Sequence, residues 1–125
     1  MNDTIAGGVV IPIVPVPKPR MTRSDRWKQR PAVVRYHKFC DQLRSLVAGT
    51  PEPTFEIIFY MPMPSSWSKK KQATMVGKPH QQKPDVDNLL KAYLDALCVD
   101  DSYVWDVRVK KFWWVAGCIV IRESK

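Results

Sequence analysis

Aspartates bracket one predicted helix, and this arrangement constrains the fold more than any other feature of the chain. Residues 85–98 carry apolar side chains at helical spacing. Asp85 and Asp87 lie two residues apart where this helix should begin, and Asp100 and Asp101 follow where it should end. In a chain that is otherwise basic, four carboxylates around one helix predict a negative pocket on a positive surface.

The other elements follow from hydrophobic periodicity. A β-branched run at residues 9–16 predicts a strand, and its prolines indicate either an edge strand or a strand that frays into a loop. Residues 32–47 have the apolar spacing of a helix, and residues 54–61 predict a second strand. Residues 103–115 alternate as a third strand, and after a short turn residues 118–122 are expected to complete a hairpin with it.

The predicted order is strand-helix-strand-helix-strand-strand. It gives an α/β (α+β) fold, with a single mixed β-sheet and two main helices packed on it. Residues 1–125 should form one domain, because no internal repeat or long linker divides them. Within the third strand, the set that includes Tyr103, Trp105, Val107 and Trp113 is the more apolar and is expected to face the core.

The carboxylates suit a divalent-metal site that cuts phosphodiester bonds. One or two Mg²⁺ ions can activate a water and offset the charge that develops in cleavage, and Mg²⁺ takes hard oxygen ligands. For the two aspartate pairs to share ions, the strand that starts near Tyr103 must run back beside the helix N-terminus. Lys91 projects from the same helix face as Asp87, where it either assists cleavage or forms an ordinary surface ion pair.

Each aspartate also has an ordinary structural explanation. Asp85 is a good N-cap, Asp87 favours the positive end of the helix, and Asp100-Asp101 suits a turn. These explanations account for single residues, but they do not explain why four carboxylates gather in a basic chain. A calcium EF-hand loop is excluded, because Leu90 stands where that loop requires glycine. No glycine-rich phosphate loop is present, so no nucleotide cofactor is expected.

The charge of the chain favours a nucleic-acid partner. Lysine and arginine number 20 against 12 acidic residues, a net charge of +8. Two basic loops are predicted, at residues 17–31 and 62–83, and the second leads directly into the carboxylates as a DNA-contacting flap or a solvated loop. The DNA-binding candidates in these loops are Lys18, Arg20, Arg23, Arg26, Lys69, Lys70, Lys71, Lys78 and Lys83.

Cysteine and histidine spacing argues against a zinc site. Cys40, Cys98 and Cys118 are widely separated and are expected to be reduced core residues. His37 should lie on a helix surface, and His80 should belong to the second basic loop. No secretory signal or membrane-length apolar run is found, so a cytoplasmic protein of a bacterium or a phage-infected cell, without a membrane partner, is expected.

Two runs in the second half of the chain resemble the RusA-type Holliday-junction resolvases. Residues 83–97 carry the pattern D-x-D-N-x-x-K at the start of the predicted helix, and residues 99–109 carry the Asp-Asp pair. Residues 17–22 are similar to phage or prophage members of that family. The strong match covers roughly residues 83–111, and it is the combination of motifs that is specific.

That resemblance implies a homodimeric, Mg²⁺-dependent endodeoxyribonuclease that acts on branched DNA. Such enzymes resolve four-way junctions by paired symmetric nicks in DNA recombination and repair, and Mn²⁺ is expected to substitute for Mg²⁺. The essential acids of the family fall here on Asp85, Asp87 and Asp101, and its essential lysine falls on Lys91. Asp100 is a supporting candidate for metal binding.

The chain departs from the family pattern in two places. Lys83 alone precedes the motif where an arginine cluster can occur, and only residues 98–99 separate the helix from the Asp-Asp pair. Both departures concern junction selectivity and base preference. Two alternative functions stay open, a metal nuclease for flaps, forks or duplex DNA and a non-catalytic basic DNA-binding module.

Overall fold

A computed structural model describes residues 4–5, 8–20 and 30–123 of the chain. The predicted fold class is confirmed, since a single mixed sheet carries two long helices. A third, short helix and a two-residue first strand were not predicted. In chain order the elements are β1 (Thr4–Ile5), β2 (Gly8–Ile11), α1 (Pro31–Leu46), β3 (Thr54–Pro62), α2 (Lys69–Met75), α3 (Val86–Leu97), β4 (Asp106–Trp114) and β5 (Cys118–Glu123).

The five strands follow the order β1-β2-β5-β3-β4. β3 pairs in parallel with β4 along its whole length, with Thr54 opposite Asp106 and Phe59 opposite Lys111. On its other side β3 pairs antiparallel with β5, which in turn pairs antiparallel with β2. β4 is therefore an edge strand of the sheet.

The predicted hairpin between the last two strands is wrong. β4 and β5 run in opposite directions, but β3 lies between them. The turn residues between β4 and β5 indicate that the chain reverses direction there. They do not determine which strand β5 then pairs with. The central place goes to β3 because most of its side chains are buried, whereas β4 is rich in charged residues and suits an edge.

Both long helices pack on the same face of the sheet. Arg44 of α1 joins the two helices by donating a 2.8 Å hydrogen bond from Nε to the carbonyl of Ala96 in α3. Apolar side chains from α1, α3 and β3 fill the space below them, as the periodicity predicts. The largest contributors are Tyr36, Phe39, Leu43, Leu89, Tyr93, Phe55, Ile57 and Phe59.

The opposite face of the sheet holds a small apolar cluster and a charged group. Ile58, Cys118 and Val120 form the buried part of the cluster. Beside them, Glu56 forms ion pairs with Lys110 at 3.4 Å and with Arg122. Burial disfavours the charged form of Glu56, but these cations outweigh it, so the pKa of Glu56 is lowered.

β4 is shorter than the predicted strand, yet it faces the predicted way. Val107, Val109 and Trp113 pack against the main core, as the alternation indicates. Tyr103 and Trp105 precede the strand and are exposed, so the predicted burial of these two aromatic residues is wrong. β4 starts at Asp106 because the residues before it are hydrogen-bonded to the segment before β3. Tyr103 donates to the Pro51 carbonyl and the Trp105 N–H donates to the Pro53 carbonyl.

Residues 62–83 are not the structureless loop that was predicted. α2 lies within them, and Ser68 caps it by accepting a 3.1 Å hydrogen bond from the Lys71 N–H. The segment after α2 is joined to β4, since Gly77 N–H donates to the Trp113 carbonyl at 2.8 Å and His80 N–H donates to the Lys111 carbonyl at 3.1 Å. α2 buries no side chain, so it has no hydrophobic period that sequence reasoning could detect.

His80 lies in the second basic segment, as predicted, but its side chain is buried. Its ring lies against Trp113, with 4.2 Å between the ring centroids, and its Nδ1 has no hydrogen-bond partner within the described residues. Burial, together with the nearby Lys111 ammonium, lowers the pKa of His80. His37 is exposed on α1, as predicted.

The N-terminal strand is also shorter than predicted, because β2 ends at Ile11, just before the first proline. α1 then begins with Pro31 at its first turn, a position that tolerates the missing N–H. The three cysteines are free thiols, with Cys40 and Cys118 buried and Cys98 half-buried. In the part of the chain that the structure describes, no helix combines the length and apolarity needed to cross a membrane.

Candidate metal and DNA site

Asp85 and Asp87 lie together at the N-terminus of α3. Asp85 occupies the N-cap position with extended backbone angles, φ −73° and ψ 150°, and Asp87 lies in the first turn. The side chain of Asp85 makes no capping hydrogen bond, so the capping function predicted for it is absent. Its oxygens are left to other partners at the positive end of the helix, where carboxylates are favoured.

Both carboxylates are exposed and each has a lysine near it. Lys83 Nζ lies 3.7 Å from Asp85 Oδ2, and Lys91 Nζ lies 3.8 Å from Asp87 Oδ2. The side chains of Asp85 and Asp87 are 54% and 65% exposed. Exposed ion pairs of this kind contribute at most about 1 kcal/mol, so both lysines can leave their carboxylates when a phosphate approaches.

Asp100 and Asp101 lie at the other end of α3. The helix has 12 residues, which makes it about 18 Å long at 1.5 Å per residue. The segment that follows it is fastened to the start of β3, where Tyr103 Oη donates to the Pro51 carbonyl at 2.7 Å and Trp105 N–H donates to the Pro53 carbonyl at 3.0 Å. The Asp-Asp pair precedes both of these anchors.

β4 runs back towards the N-terminus of α3, as a metal site shared by the two aspartate pairs would require. The Asp-Asp pair, however, precedes β4 and stays at the C-terminal end of α3. The part of β4 that reaches the residues before Asp85 is Lys111, halfway along the strand. Within the described ranges, no group of three or more acidic, histidine or cysteine side chains could hold one metal ion. The structure therefore brings Asp85 and Asp87 together and keeps Asp100 and Asp101 apart from them in a single chain.

Asp100 has a local structural function. Its Oδ1 accepts a 2.9 Å hydrogen bond from the Ser102 N–H, which shapes the turn after α3. This hydrogen bond favours the charged form and lowers the pKa of Asp100. The turn explanation thus holds for Asp100, whereas Asp101 is exposed beside it.

Lys111 is a residue of this region that sequence reasoning missed. It stands in the core-facing row of β4 and lines an open cavity beside Asp85. Its Nζ donates to two carbonyls of the preceding segment, at 2.6 Å to Gln82 and 2.7 Å to Pro84. Desolvation lowers the pKa of Lys111, and the charge of Asp85 partly opposes this effect. A lysine in an otherwise apolar alternation was the signal that could have identified it.

The second basic segment presents exposed lysines on the way to the carboxylates. Lys69, Lys70 and Lys71 occupy the first turn of α2, and Lys78 and Lys83 follow it, all exposed. Lys71 also lies over the ring of Trp67, with its Nζ 4.4 Å from the ring centroid. The lysines of α2 lie on a helix, and the segment that follows α2 is hydrogen-bonded to β4. The backbone positions of these lysines are therefore set by secondary structure.

The first basic segment is held against α3 where it is described. The Lys18 N–H donates to the Asn88 carbonyl at 3.0 Å, and the Lys18 ammonium forms an ion pair with Asp95. Tyr36 donates from its hydroxyl to the same Asp95 oxygen at 3.2 Å, and burial raises the pKa of that tyrosine. Lys18 thus joins the segment to the helix, and its binding to DNA stays a prediction.

The remaining DNA-binding candidates of this segment divide between described and undescribed residues. Arg20 is exposed, and its carbonyl accepts a 2.7 Å hydrogen bond from Arg30 Nη2. Arg23 and Arg26 lie outside the described residues.

Comparison with known proteins places the chain in a family. The family model described as endodeoxyribonuclease RusA matches residues 11–122, which is nearly the whole chain. A Bacillus subtilis (strain 168) protein named "Uncharacterized protein YqaN" is 38% identical over 100 residues, covering 66% of this chain and 68% of that protein. No solved structure matches the chain. The match over residues 11–122 includes both long helices, the acidic pair at the start of α3 and the later Asp-Asp pair, and the chain belongs to the RusA family of endodeoxyribonucleases.

Proposed function

We propose that this protein is a Mg²⁺-dependent endonuclease that resolves four-way DNA junctions by paired symmetric nicks, in DNA recombination and repair. The observation that carries the proposal is the acidic pair at the N-terminus of α3. Asp85 stands at the N-cap position without capping the helix, and Asp87 is exposed beside it. A carboxylate that forgoes about 1 kcal/mol of capping is explained better by a ligand than by folding.

The donor set fits a hard divalent cation. Asp85 and Asp87 offer carboxylate oxygens at a solvent-open position, which suits an ion that retains several waters. When bound there, the cation supplies an activated water and stabilises charge at the phosphate. Lys91, which pairs with Asp87 in the free protein, would turn its ammonium to the phosphate oxygens during cleavage.

Exposed lysines around the acidic pair would hold the DNA backbone. The three lysines of α2, together with Lys78 and Lys83, form one basic segment that ends at Asp85. Such contacts release counterions and bind DNA without reading its sequence. Arg20 extends the candidate DNA surface from the other basic segment.

The third acid would come from a second copy of the chain. Two oxygens bound to one Mg²⁺ lie within about 4 Å of each other, whereas the whole of α3, about 18 Å long, lies between Asp85 and Asp101, and no three acids of the described residues could hold one ion. A homodimer whose two-fold axis passes near the middle of α3 would place Asp101 of the partner subunit beside Asp85. The same symmetry gives two equal sites, which is what paired nicks in a two-fold junction need.

A junction-cleavage assay tests this function. Wild-type protein, Asp85→Asn and the control Asp41→Asn are incubated with a labelled four-way junction, with and without Mg²⁺. Asp41 is an exposed acid on α1 that, among the described residues, forms an ion pair with Arg44, so the control should cleave normally. We expect Mg²⁺-dependent nicking by the wild type and at least a hundredfold loss in Asp85→Asn, with junction binding retained.

Other results would contradict the proposal in distinct ways. Wild-type rates from Asp85→Asn would remove the acidic pair from catalysis. Equal cutting of linear duplex and junction would favour the broader metal nuclease, and binding without cleavage under any divalent cation would favour a DNA-binding module.

A further inference from the structure

The position of the Asp85 carboxylate depends on its backbone more than on its side-chain contacts. Its ion-pair partner, Lys83, is 90% exposed and lies 3.7 Å away, so it restrains little. No capping hydrogen bond holds the side chain. The backbone position of Asp85 therefore depends on the contacts that hold the segment immediately before α3.

Lys111 fixes that segment. Its ammonium lies between the carbonyls of Gln82 and Pro84, the residues on either side of Lys83, and bonds both at less than 2.8 Å. Hydrogen bonds from a charged donor are about twice as strong as neutral ones. The backbone of Lys111 holds the same segment, since its carbonyl accepts from the His80 N–H at 3.1 Å. One residue of β4 thus grips the segment before Asp85 at three points.

Lys111 lies on the core-facing side of β4, where an apolar side chain is expected. Val107, Val109 and Trp113 share its side of the strand and pack in the main core. Desolvation disfavours the charged ammonium at such a place, and an apolar side chain would be the simpler occupant. Lys110, its neighbour, points to the opposite face and pairs with Glu56 at 3.4 Å, so the two lysines have separate tasks.

We propose that Lys111 is a positioning residue which, through its hydrogen bonds to the Gln82 and Pro84 carbonyls, sets the backbone from which the Asp85 carboxylate reaches a divalent cation. The proposal deepens the proposed function and rests on it. Because its ammonium is engaged by two carbonyls, Lys111 acts through Asp85 and not by contact with the DNA. Loss of a group that orients a metal ligand typically weakens metal binding about ten- to hundredfold.

The test measures Mn²⁺ binding to the full-length protein without DNA, by electron paramagnetic resonance of the free ion. Lys111→Met is compared with the wild type, Asp85→Asn and the matched control Lys110→Met. We expect Lys111→Met to bind Mn²⁺ about tenfold more weakly or worse, and Lys110→Met to bind like the wild type. In the junction assay, Lys111→Met should need about tenfold more Mg²⁺ for half-maximal nicking and bind junction DNA normally.

The outcomes separate the two proposals. If the wild type binds Mn²⁺ no better than Asp85→Asn, the proposed metal function itself fails. If the wild type binds Mn²⁺ through Asp85 and Lys111→Met matches Lys110→Met, the positioning function of Lys111 is wrong, even if its thermal stability falls. Should Lys111→Met fail to fold, Lys111→Leu, which also removes the donor, decides on the same readout, and wild-type Mn²⁺ affinity in that variant overturns the proposal.

Discussion

Mixing two inactive variants would show whether each catalytic site is built from two subunits. Asp85→Asn and Asp101→Asn are co-refolded in equal amounts, so that about half of the dimers carry one copy of each. If Asp85 of one subunit works with Asp101 of the other, each mixed dimer has one site with both defects and one site with neither. Sites confined to one chain would instead all carry a defect.

The structure gives the size of the expected recovery. α3 is about 18 Å long, and no group of three acids in the described part of the chain could share an ion, so we expect only the shared arrangement to restore a site. One intact site in half of the dimers amounts to about a quarter of the wild-type sites. The assay follows a labelled junction on denaturing and native gels, and it should show single nicks on one strand with few fully resolved duplexes.

A second mixture serves as the control. Asp85→Asn with Asp87→Asn removes acids from the same helix end, so every site in the mixed dimer is defective and no nicking should return. Failure of the first mixture to recover any nicking, with mixed dimers verified by native mass spectrometry, would refute the shared site. Recovery in both mixtures would show that the reasoning from helix length is wrong.

Three other changes have distinct expected results. Lys91→Ala should bind junction DNA nearly normally but cut it at least tenfold more slowly, and a large binding loss with intact turnover would assign Lys91 to phosphate grip. Alanine at the three lysines of α2 should weaken junction binding and reduce the slope of log K against log salt by about 2 to 3, since they are exposed, and an unchanged slope would mean that α2 does not contact DNA. The lowered pKa of Glu56 means that its charged form stabilises the fold at neutral pH and that this stability is lost as pH falls through the ordinary glutamate range and on to the lowered value. Glu56→Gln should therefore be less stable than the wild type at pH 7 and lose less stability on acidification, as measured by urea unfolding, and parallel pH curves would contradict the pairing of Glu56 with Arg122 and Lys110.

Sequence reasoning succeeded where one face of an element is buried. α1 and α3 were found to within one residue of each predicted end, because side chains such as Leu43 and Leu89 repeat with the helical period and are fully buried. β3 was found because most of its side chains are apolar and buried. α2 was missed for the same physical reason, since it buries nothing and has only its Ser68 cap to mark it.

The candidate site residues could be named from the sequence, but their arrangement in space could not. The acids at the start of α3 could be identified from spacing, but their distance from Asp101 depends on β4 pairing in parallel with β3, which is a contact between distant parts of the chain. Lys111 could not be identified from the sequence. The alternation of a strand indicates which face a side chain lies on, but it does not show which carbonyls that side chain will contact. The failed hairpin has the same origin, because local turn chemistry does not determine strand order.

The strand order also affects how the protein is made. β5 comes last among the described strands, yet it lies between β2 and β3 and pairs with both. Until β5 leaves the ribosome, β2 has no partner that joins it to the rest of the sheet, and the cluster around Ile58 stays open to water. During translation β5 is therefore synthesised after the strands on both sides of it. A chain truncated before Cys118 would carry the acids of α3 on a sheet that lacks β5.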